Sequence, residues 1–215
     1  MCTPAVFARH LRMLEQGRYT VVPMSLLAQA IDSKAVLPAR AVALSFDDVR
    51  GGMLSHAVPI LQQFGVSATL FVDFDRPLNP AGLSLLREAG VEIGHKADFA
   101  GLALPLSEPT LRQTLGQSKD RLEQLLGEPV QHLAYPFGWF SARVRGLLDS
   151  LGYRSASTSI PQLNTLQTDR FMIRRSAVLA HEDANRFAWR MQRANAQLSH
   201  QPGGPHAGPE SSRAA

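Results

Sequence analysis

The fold of this 215-residue chain is decided by residues 41–48, which read AVALSFDD. The first six of these residues are nearly all apolar, which is typical of a strand that is covered on both faces in a parallel sheet. The strand is predicted to stop at Asp47 and Asp48, two adjacent carboxylates. Parallel α/β folds place their active sites at this end of the strands, so the pair is the leading candidate for a functional site.

Strand-like and helix-like segments alternate around this strand. Repeated strand-then-helix units imply parallel strands joined by right-handed crossovers, and hence an α/β barrel or an open doubly wound sheet. Further strands are predicted near residues 19–22, 68–72, 91–93, 133–135, 153–158 and 172–179. Helices are predicted near residues 4–17, 25–31, 53–64, 80–89, 109–126, 141–151 and 183–198, with Pro59 marking a kink or the true start of its helix.

The segment 199–215 differs in composition from the rest. It contains three prolines among Gly, His and Ser, with no apolar periodicity, so it is predicted to be a disordered tail. Residues 1–198 are predicted to form a single domain, because a chain of this size buries roughly 70% of its unfolded surface around one core.

Composition and charge exclude several classes of protein. The net charge of +4 comes from 22 basic and 18 acidic residues with no basic run, so we expect no nucleic-acid partner. The apolar stretches are far shorter than the ~18 residues of a membrane span, so no transmembrane segment is expected. Arg9 and His10 interrupt the region where a signal peptide would be apolar, which predicts a cytoplasmic protein as written, or an extracytoplasmic one if the gene start is truncated. The lone Cys2 leaves His and carboxylates as the ligands of any metal site.

The adjacent carboxylates Asp47 and Asp48 need a source of positive charge. Two like charges at a strand end are unfavourable unless a cation, an Arg or a shared proton relieves their repulsion. A divalent metal on one of them would leave the other free as a base. The alternative is structural, with one Asp capping a helix and the other solvated.

Three further features follow predicted strands. His95 comes just beyond the strand at 91–93 and could ligate a metal as neutral imidazole, or be an ordinary loop histidine. Pro136 and Phe137 form a rigid turn that could present backbone N–H groups to an oxyanion, or be only a turn. His181 follows the last strand and could donate a proton or cap the next helix.

Taken together and in this order, these features resemble the polysaccharide deacetylase family (carbohydrate esterase family four). The similarity extends from about Phe7 to Met191. It is carried by residues 41–48, 57–61 and 64–72 (first motif), 89–95 (second motif), 115–126, 135–138 (third motif), 151–156 and the segment around Arg174 and Arg175.

The resemblance implies a distorted (β/α) barrel of parallel strands and metal-dependent hydrolysis of N-acetyl groups on an amino-sugar polysaccharide or oligosaccharide. Asp47 would be the catalytic base, while Asp48 and His95 would hold a divalent metal, zinc or alternatively cobalt or nickel. The turn at Pro136 and Phe137 would supply the oxyanion N–H. His181, which matches its motif loosely, would be the general acid, and an N-acetylated glycan would be the substrate.

The sequence departs from the family pattern at the site. The second motif normally carries another His four residues after the first, and here that position is Phe99, which cannot ligate a metal. Asp98 is adjacent and is the alternative oxygen ligand. The Gly that usually follows the Asp pair is Val49. These losses favour an alternative function, a catalytically weakened or inactive deacetylase-like barrel that binds carbohydrate.

Overall fold

The computed structural model describes residues 3–47, 52–73, 80–97, 106–179, 182 and 184–199. The predicted tail lies outside these residues, apart from Ser199, which ends the last helix.

A curled parallel sheet forms the centre of the molecule. Its five strands are hydrogen-bonded in sequence order, β3-β4-β5-β6-β7, and β1 pairs with β2 in a separate parallel ladder. Only Leu44 separates β2 from β3, and its carbonyl accepts a hydrogen bond from Thr69 N at 2.9 Å. The strands are β1 (Thr20–Val22), β2 (Ala41–Ala43), β3 (Ser45–Asp47), β4 (Thr69–Asp73), β5 (Glu92–Lys96), β6 (His132–Ala134) and β7 (Ser155–Ser157). This arrangement confirms the predicted α/β fold of a distorted parallel barrel.

Helices α1 and α5 begin at the capping residues that the sequence indicates. The Thr3 side chain accepts a hydrogen bond from Val6 N at the start of α1, and Ser107 accepts one from Thr110 N at the start of α5. Gly127 ends α5 with a φ of 70°, which glycine adopts at no steric cost. The described helices are α1 (Pro4–Gln16), α2 (Met24–Ser33), α3 (Val58–Gln63), α4 (Pro80–Glu88), α5 (Glu108–Leu126), α6 (Ala142–Leu148) and α7 (Ala184–Ser199).

The helix predicted over 53–64 consists of two parts. Met53–Ala57 forms a π-helical turn, and α3 follows directly from Val58. Pro59 lies in the first turn of α3, where its missing N–H costs no helical hydrogen bond. The proline therefore marks the start of the α-helix, which was one of the two predicted alternatives; the other was a kink.

The strand predicted over 172–179 does not form, and that prediction is wrong. Only Ile173 pairs with the sheet, through an isolated bridge to Ser157. Thr158 N donates to the Ile173 carbonyl, but the Thr158 carbonyl accepts its bond from the Arg175 side chain. The ladder stops there because a guanidinium has replaced the backbone donor that a longer strand would use.

The two faces of the sheet meet different surroundings. We call the face that carries Leu70 and Val72 the outer face; it packs against buried side chains of α1, α4 and α5, including Leu14, Leu86 and Leu122. We call the opposite face, which carries Phe71 and Ala134, the inner face; both residues cluster with buried side chains of α2, among them Met24 and Ile31. Within the described ranges, none of the helices combines the length and the apolar character that a membrane span requires.

Candidate functional site

Asp47 ends β3 and is held by an arginine from a distant part of the chain. Arg175 donates to both carboxylate oxygens of Asp47, at 2.6 Å from Nη1 and 3.0 Å from Nη2. A bidentate pair of this kind fixes the orientation of the carboxylate as well as supplying charge. The Asp47 side chain remains 37% exposed, against 14% for Arg175, so the carboxylate is the accessible member of the pair.

Arg175 is itself fixed by three further contacts. Its Nε donates to the Thr158 carbonyl at 3.0 Å, and Nη1 donates to Ser45 Oγ at 3.1 Å. The guanidinium also lies 5.0 Å from the centre of the Phe71 ring, within the range of a cation–π interaction. These contacts place the Asp47–Arg175 pair on the inner face, at the carboxyl edge of the sheet.

The strand register shows which neighbouring residues share this face. Asp47 is the register partner of Phe71, and Phe71 is the partner of Gly94, so these positions lie on the inner face. Successive residues of a strand alternate between faces. Lys96, two residues after Gly94, therefore belongs to the inner face, and His95 to the outer face.

Lys96 is in turn aligned with a second carboxylate. Its register partners are Asp73 on β4 and Ala134 on β6. The inner face thus carries Asp47, Asp73, Lys96 and the guanidinium of Arg175 at or near the carboxyl ends of adjacent strands.

His95 lies under the helix layer on the other side of the sheet. It is 1% exposed, and its Nδ1 shares a 2.5 Å hydrogen bond with the hydroxyl of Tyr153. The two rings are nearly parallel, with centres 6.1 Å apart. The other ring nitrogen, Nε2, is buried without a hydrogen-bond partner among the described residues. Burial, together with the nearby Lys119 ammonium, lowers the pKa of His95 from 6.5 to about 4, so the ring is neutral at pH 7.

A small charged network continues from Tyr153 along α5. The Lys119 ammonium lies 5.6 Å from the centre of the Tyr153 ring and forms a salt bridge with Glu123. Glu123 also accepts a hydrogen bond from Val130 N at 2.7 Å, just before β6. Burial raises the pKa of the Tyr153 hydroxyl well above its usual value, so this hydroxyl keeps its proton. His95 is thereby tied into the packing between helix and sheet.

The described residues do not assemble the metal site that the family resemblance implies. Within the described ranges, no group of three His, Cys, Asp or Glu residues is placed to hold a metal ion. His95 does not share a face with Asp47. Asp48, the alternative ligand Asp98, Phe99 and His181 lie outside the described residues, so the roles given to them stay predictions.

The turn predicted after β6 is present and strained. Pro136–Gly138 forms a short 3-10 turn in which Phe137 adopts a φ of 52°, a left-handed conformation that costs a non-glycine residue about 1 kcal/mol or more. Gly138 is required, because a Cβ there would lie 2.3 Å from the backbone N of Ser159. Strain of this kind clusters at functional sites. The oxyanion role of Pro136 and Phe137 stays a prediction.

Sequence reasoning did not assign roles to Arg175 or Lys96. The need for a cation or an arginine near the carboxylates was evident from Asp47 and Asp48, but nothing local identified a partner 128 residues away. Lys96 stands directly after the residue that the motif pattern singled out. Its face becomes evident only from the register of β5.

Comparisons with known proteins agree with this architecture. The sequence model described as polysaccharide deacetylase matches residues 34–156. The deacetylase PplD of Streptococcus pyogenes, solved in complex with acetate, has a TM-score of 0.79 at 18% identity, with 88% of this chain and 87% of that chain covered. IcaB from Ammonifex degensii has a TM-score of 0.78 at 19% identity, with coverage of 88% and 89%. A de-N-acetylase from Aggregatibacter actinomycetemcomitans has a TM-score of 0.72 at 18% identity, with coverage of 87% and 88%.

Proposed function

Since this chain belongs to the polysaccharide deacetylase family, we propose that it acts on an N-acetylated amino-sugar polymer or oligomer and hydrolyses its acetamide groups. The products would be acetate and a glycan with a free amine. The observation that carries this proposal is the Asp47–Arg175 pair, an oriented and accessible carboxylate at the carboxyl edge of a parallel sheet.

In the proposed reaction, Asp47 is the general base. Its carboxylate takes a proton from water as the water oxygen bonds to the acetyl carbon, and the C–N bond then breaks as the sugar amine takes up a proton. Arg175 supports this role because its bidentate contact keeps the carboxylate in one orientation. His181 is the proposed proton donor to the amine, and the Phe137 N–H the proposed donor to the developing oxyanion.

Zinc, which the resemblance implies, does not fit the donors that are described. One predicted ligand, His95, is on the outer face with Nδ1 engaged by Tyr153, and the other, Asp48, lies outside the described residues. When present in such a site, a divalent ion polarises a carbonyl and acidifies water. We assign no step of the reaction to it in this chain.

A second candidate function is glycan binding without hydrolysis. The placement of His95 favours it, because the residue most like a metal ligand is committed to packing. Two exposed aromatic side chains, Phe137 in the strained turn (72% exposed) and Trp139 directly after it (75% exposed), offer flat surfaces on which a sugar ring can stack. This candidate keeps a glycan ligand but predicts no acetate release.

One experiment separates the two functions. Purified protein is incubated with a chitin oligomer; acetate release is measured enzymatically, and binding is measured by calorimetry, for the wild type and for Asp47→Asn. Hydrolysis predicts acetate from the wild type and at least a hundredfold loss in the variant, with binding retained. Binding by both proteins without acetate identifies the second function. No binding and no acetate would reject both.

A further inference from the structure

The inner face carries basic side chains next to its carboxylates. Arg175 makes a bidentate pair with Asp47 at the end of β3. Lys96 and Asp73 are register partners on adjacent strands, and Lys96 is half-buried. Each described carboxylate at this edge therefore has a basic side chain nearby: Arg175 is hydrogen-bonded to Asp47, and Lys96 is the register partner of Asp73.

Basic side chains on the inner face can supply the positive charge that the strand-end carboxylates need. Carboxylates gathered at strand ends need a positive charge nearby, which either a bound metal or a basic side chain can supply. The imidazole on β5 faces away from Asp47, and the β5 side chain that shares its face is an ammonium group. A protonated lysine has three N–H donors and no lone pair, so it cannot ligate a metal, and its charge opposes a cation nearby.

We propose that Arg175 and Lys96 supply the positive charge of this site, that Lys96 keeps zinc out of it, and that the site engages its glycan without a divalent cation. The last part rests on the proposed function; the exclusion of zinc does not. Lys96 is two strands across the sheet from Asp47 and two residues further along it, so their Cα atoms are roughly 12 Å apart. A lysine side chain reaches about 6 Å, so the ammonium and the Asp47 carboxylate can lie within the span of one sugar residue and its acetamide group. The ammonium is suited to donate to the acetamide carbonyl oxygen of such a ligand.

The first test is zinc binding by the full chain, measured by isothermal titration calorimetry at pH 7.5. Four proteins are compared: the wild type, Lys96→His, Lys96→Met and His95→Ala. Lys96→His offers an imidazole to the inner face, and Lys96→Met removes the charge while keeping an unbranched side chain of similar length. We expect Lys96→His to bind one additional zinc at least tenfold more tightly than any background site, and Lys96→Met to bind it more weakly than Lys96→His but above the wild type.

Background zinc from histidines elsewhere, such as His200 and His206, is common to all four proteins and is subtracted. Circular dichroism and the thermal midpoint check that each variant is folded. The proposal is overturned if the wild type binds one zinc tightly and His95→Ala loses it. The proposal is also overturned if both Lys96 variants are folded and neither differs from the wild type in zinc affinity.

The second test concerns the glycan. Binding of a chitin oligomer to the wild type is measured with excess EDTA and again with added zinc. We expect the same dissociation constant within a factor of two, and a loss of at least fivefold for Lys96→Met in EDTA. A requirement for zinc would contradict the proposal. If no protein binds the oligomer, the proposed function and the glycan part fail together, while the zinc titration still decides the role of Lys96.

Discussion

Strand β5 places two adjacent residues in opposite surroundings. Lys96 lies on the inner face as the register partner of Asp73, and the partly exposed Asp47–Arg175 pair lies on the same face two strands away. His95 faces outward, is 1% exposed, and bonds to Tyr153 beneath α5. Both faces carry polar groups, yet on the outer face those groups are neutral or internally paired, whereas the inner face holds an accessible carboxylate. The face of the sheet on which a strand-end polar residue lies therefore determines whether it packs in the core or contributes to the site.

Tyr153→Ala should have the largest effect on stability. Tyr153 is 1% exposed, packs in the cluster under α5, and provides the only described partner of His95 Nδ1. Removal of a buried aromatic side chain costs about 3–5 kcal/mol. Urea unfolding measures the change, with Trp139→Ala, at a 75% exposed position, as a control that should stay within about 0.5 kcal/mol. A cost below about 1 kcal/mol for Tyr153→Ala would mean that the outer face is not packed as described.

Acidification should have the second-largest effect, a decrease in the free energy of unfolding. His95 has a folded-state pKa of about 4, while the unfolded chain takes up the same proton near pH 6.5. Between these values the unfolded state binds more protons, so stability falls as the pH is lowered from 6.5 towards 4, by about 3 kcal/mol from this residue alone. Unfolding free energies of the wild type and His95→Gln are compared across this range, and their difference isolates the histidine. Parallel pH profiles would show that His95 titrates alike in both states.

Tyr153→Phe should produce a smaller loss. The ring is retained, but Nδ1 of His95 loses its hydrogen-bond partner and remains buried. An unsatisfied buried polar group costs about 1–3 kcal/mol. Chemical denaturation of Tyr153→Phe beside His95→Gln and the double variant measures the coupling between them. Strict additivity of the two single changes would contradict a direct bond.

Arg175→Gln should have a modest effect on stability and a large one on function. The Asp47–Arg175 pair is partly exposed, so loss of the pair itself should cost about 1 kcal/mol or less. Loss of the bond to the carbonyl of buried Thr158 should add about 1–3 kcal/mol. The orientation of the Asp47 carboxylate would be lost, however, and we expect at least a tenfold decrease in acetate release or, for a binding protein, in glycan affinity. Arg175→Lys is the matched control, since it keeps the charge without the bidentate contact. Wild-type acetate release or glycan affinity in Arg175→Gln would show that Arg175 has no role in the site.

Most of the architecture was predictable from local signals. Thr3 and Ser107 cap helices as their side-chain chemistry requires, and the apolar residues 41–46 correctly indicated parallel pairing. The single buried strand expected there is instead divided between β2 and β3, in separate ladders, and its residues are half-buried. The strand expected over 172–179 failed because a single arginine side chain takes over a backbone acceptor. Such competition depends on tertiary contacts and leaves no pattern in the local sequence.

The site was predictable only in part, for a geometric reason. Its location at the carboxyl edge followed from Asp47, but the face of each β5 residue depends on the strand register. A shift of one residue exchanges the two faces, so Lys96 and His95 cannot be told apart by their position after a predicted strand. The partnership of Arg175 with Asp47 depends on a contact across 128 residues, which local sequence does not encode.

The central claim is that His95 belongs to the packed outer face and takes no part in the site of Asp47. Its imidazole ring can be followed directly by NMR, through the ¹⁵N chemical shifts of both ring nitrogens during a pH titration with and without one equivalent of zinc. The account predicts a neutral ring down to about pH 4 and shifts that zinc leaves unchanged. A midpoint near 6.5, or a zinc-induced shift of either ring nitrogen, would contradict it.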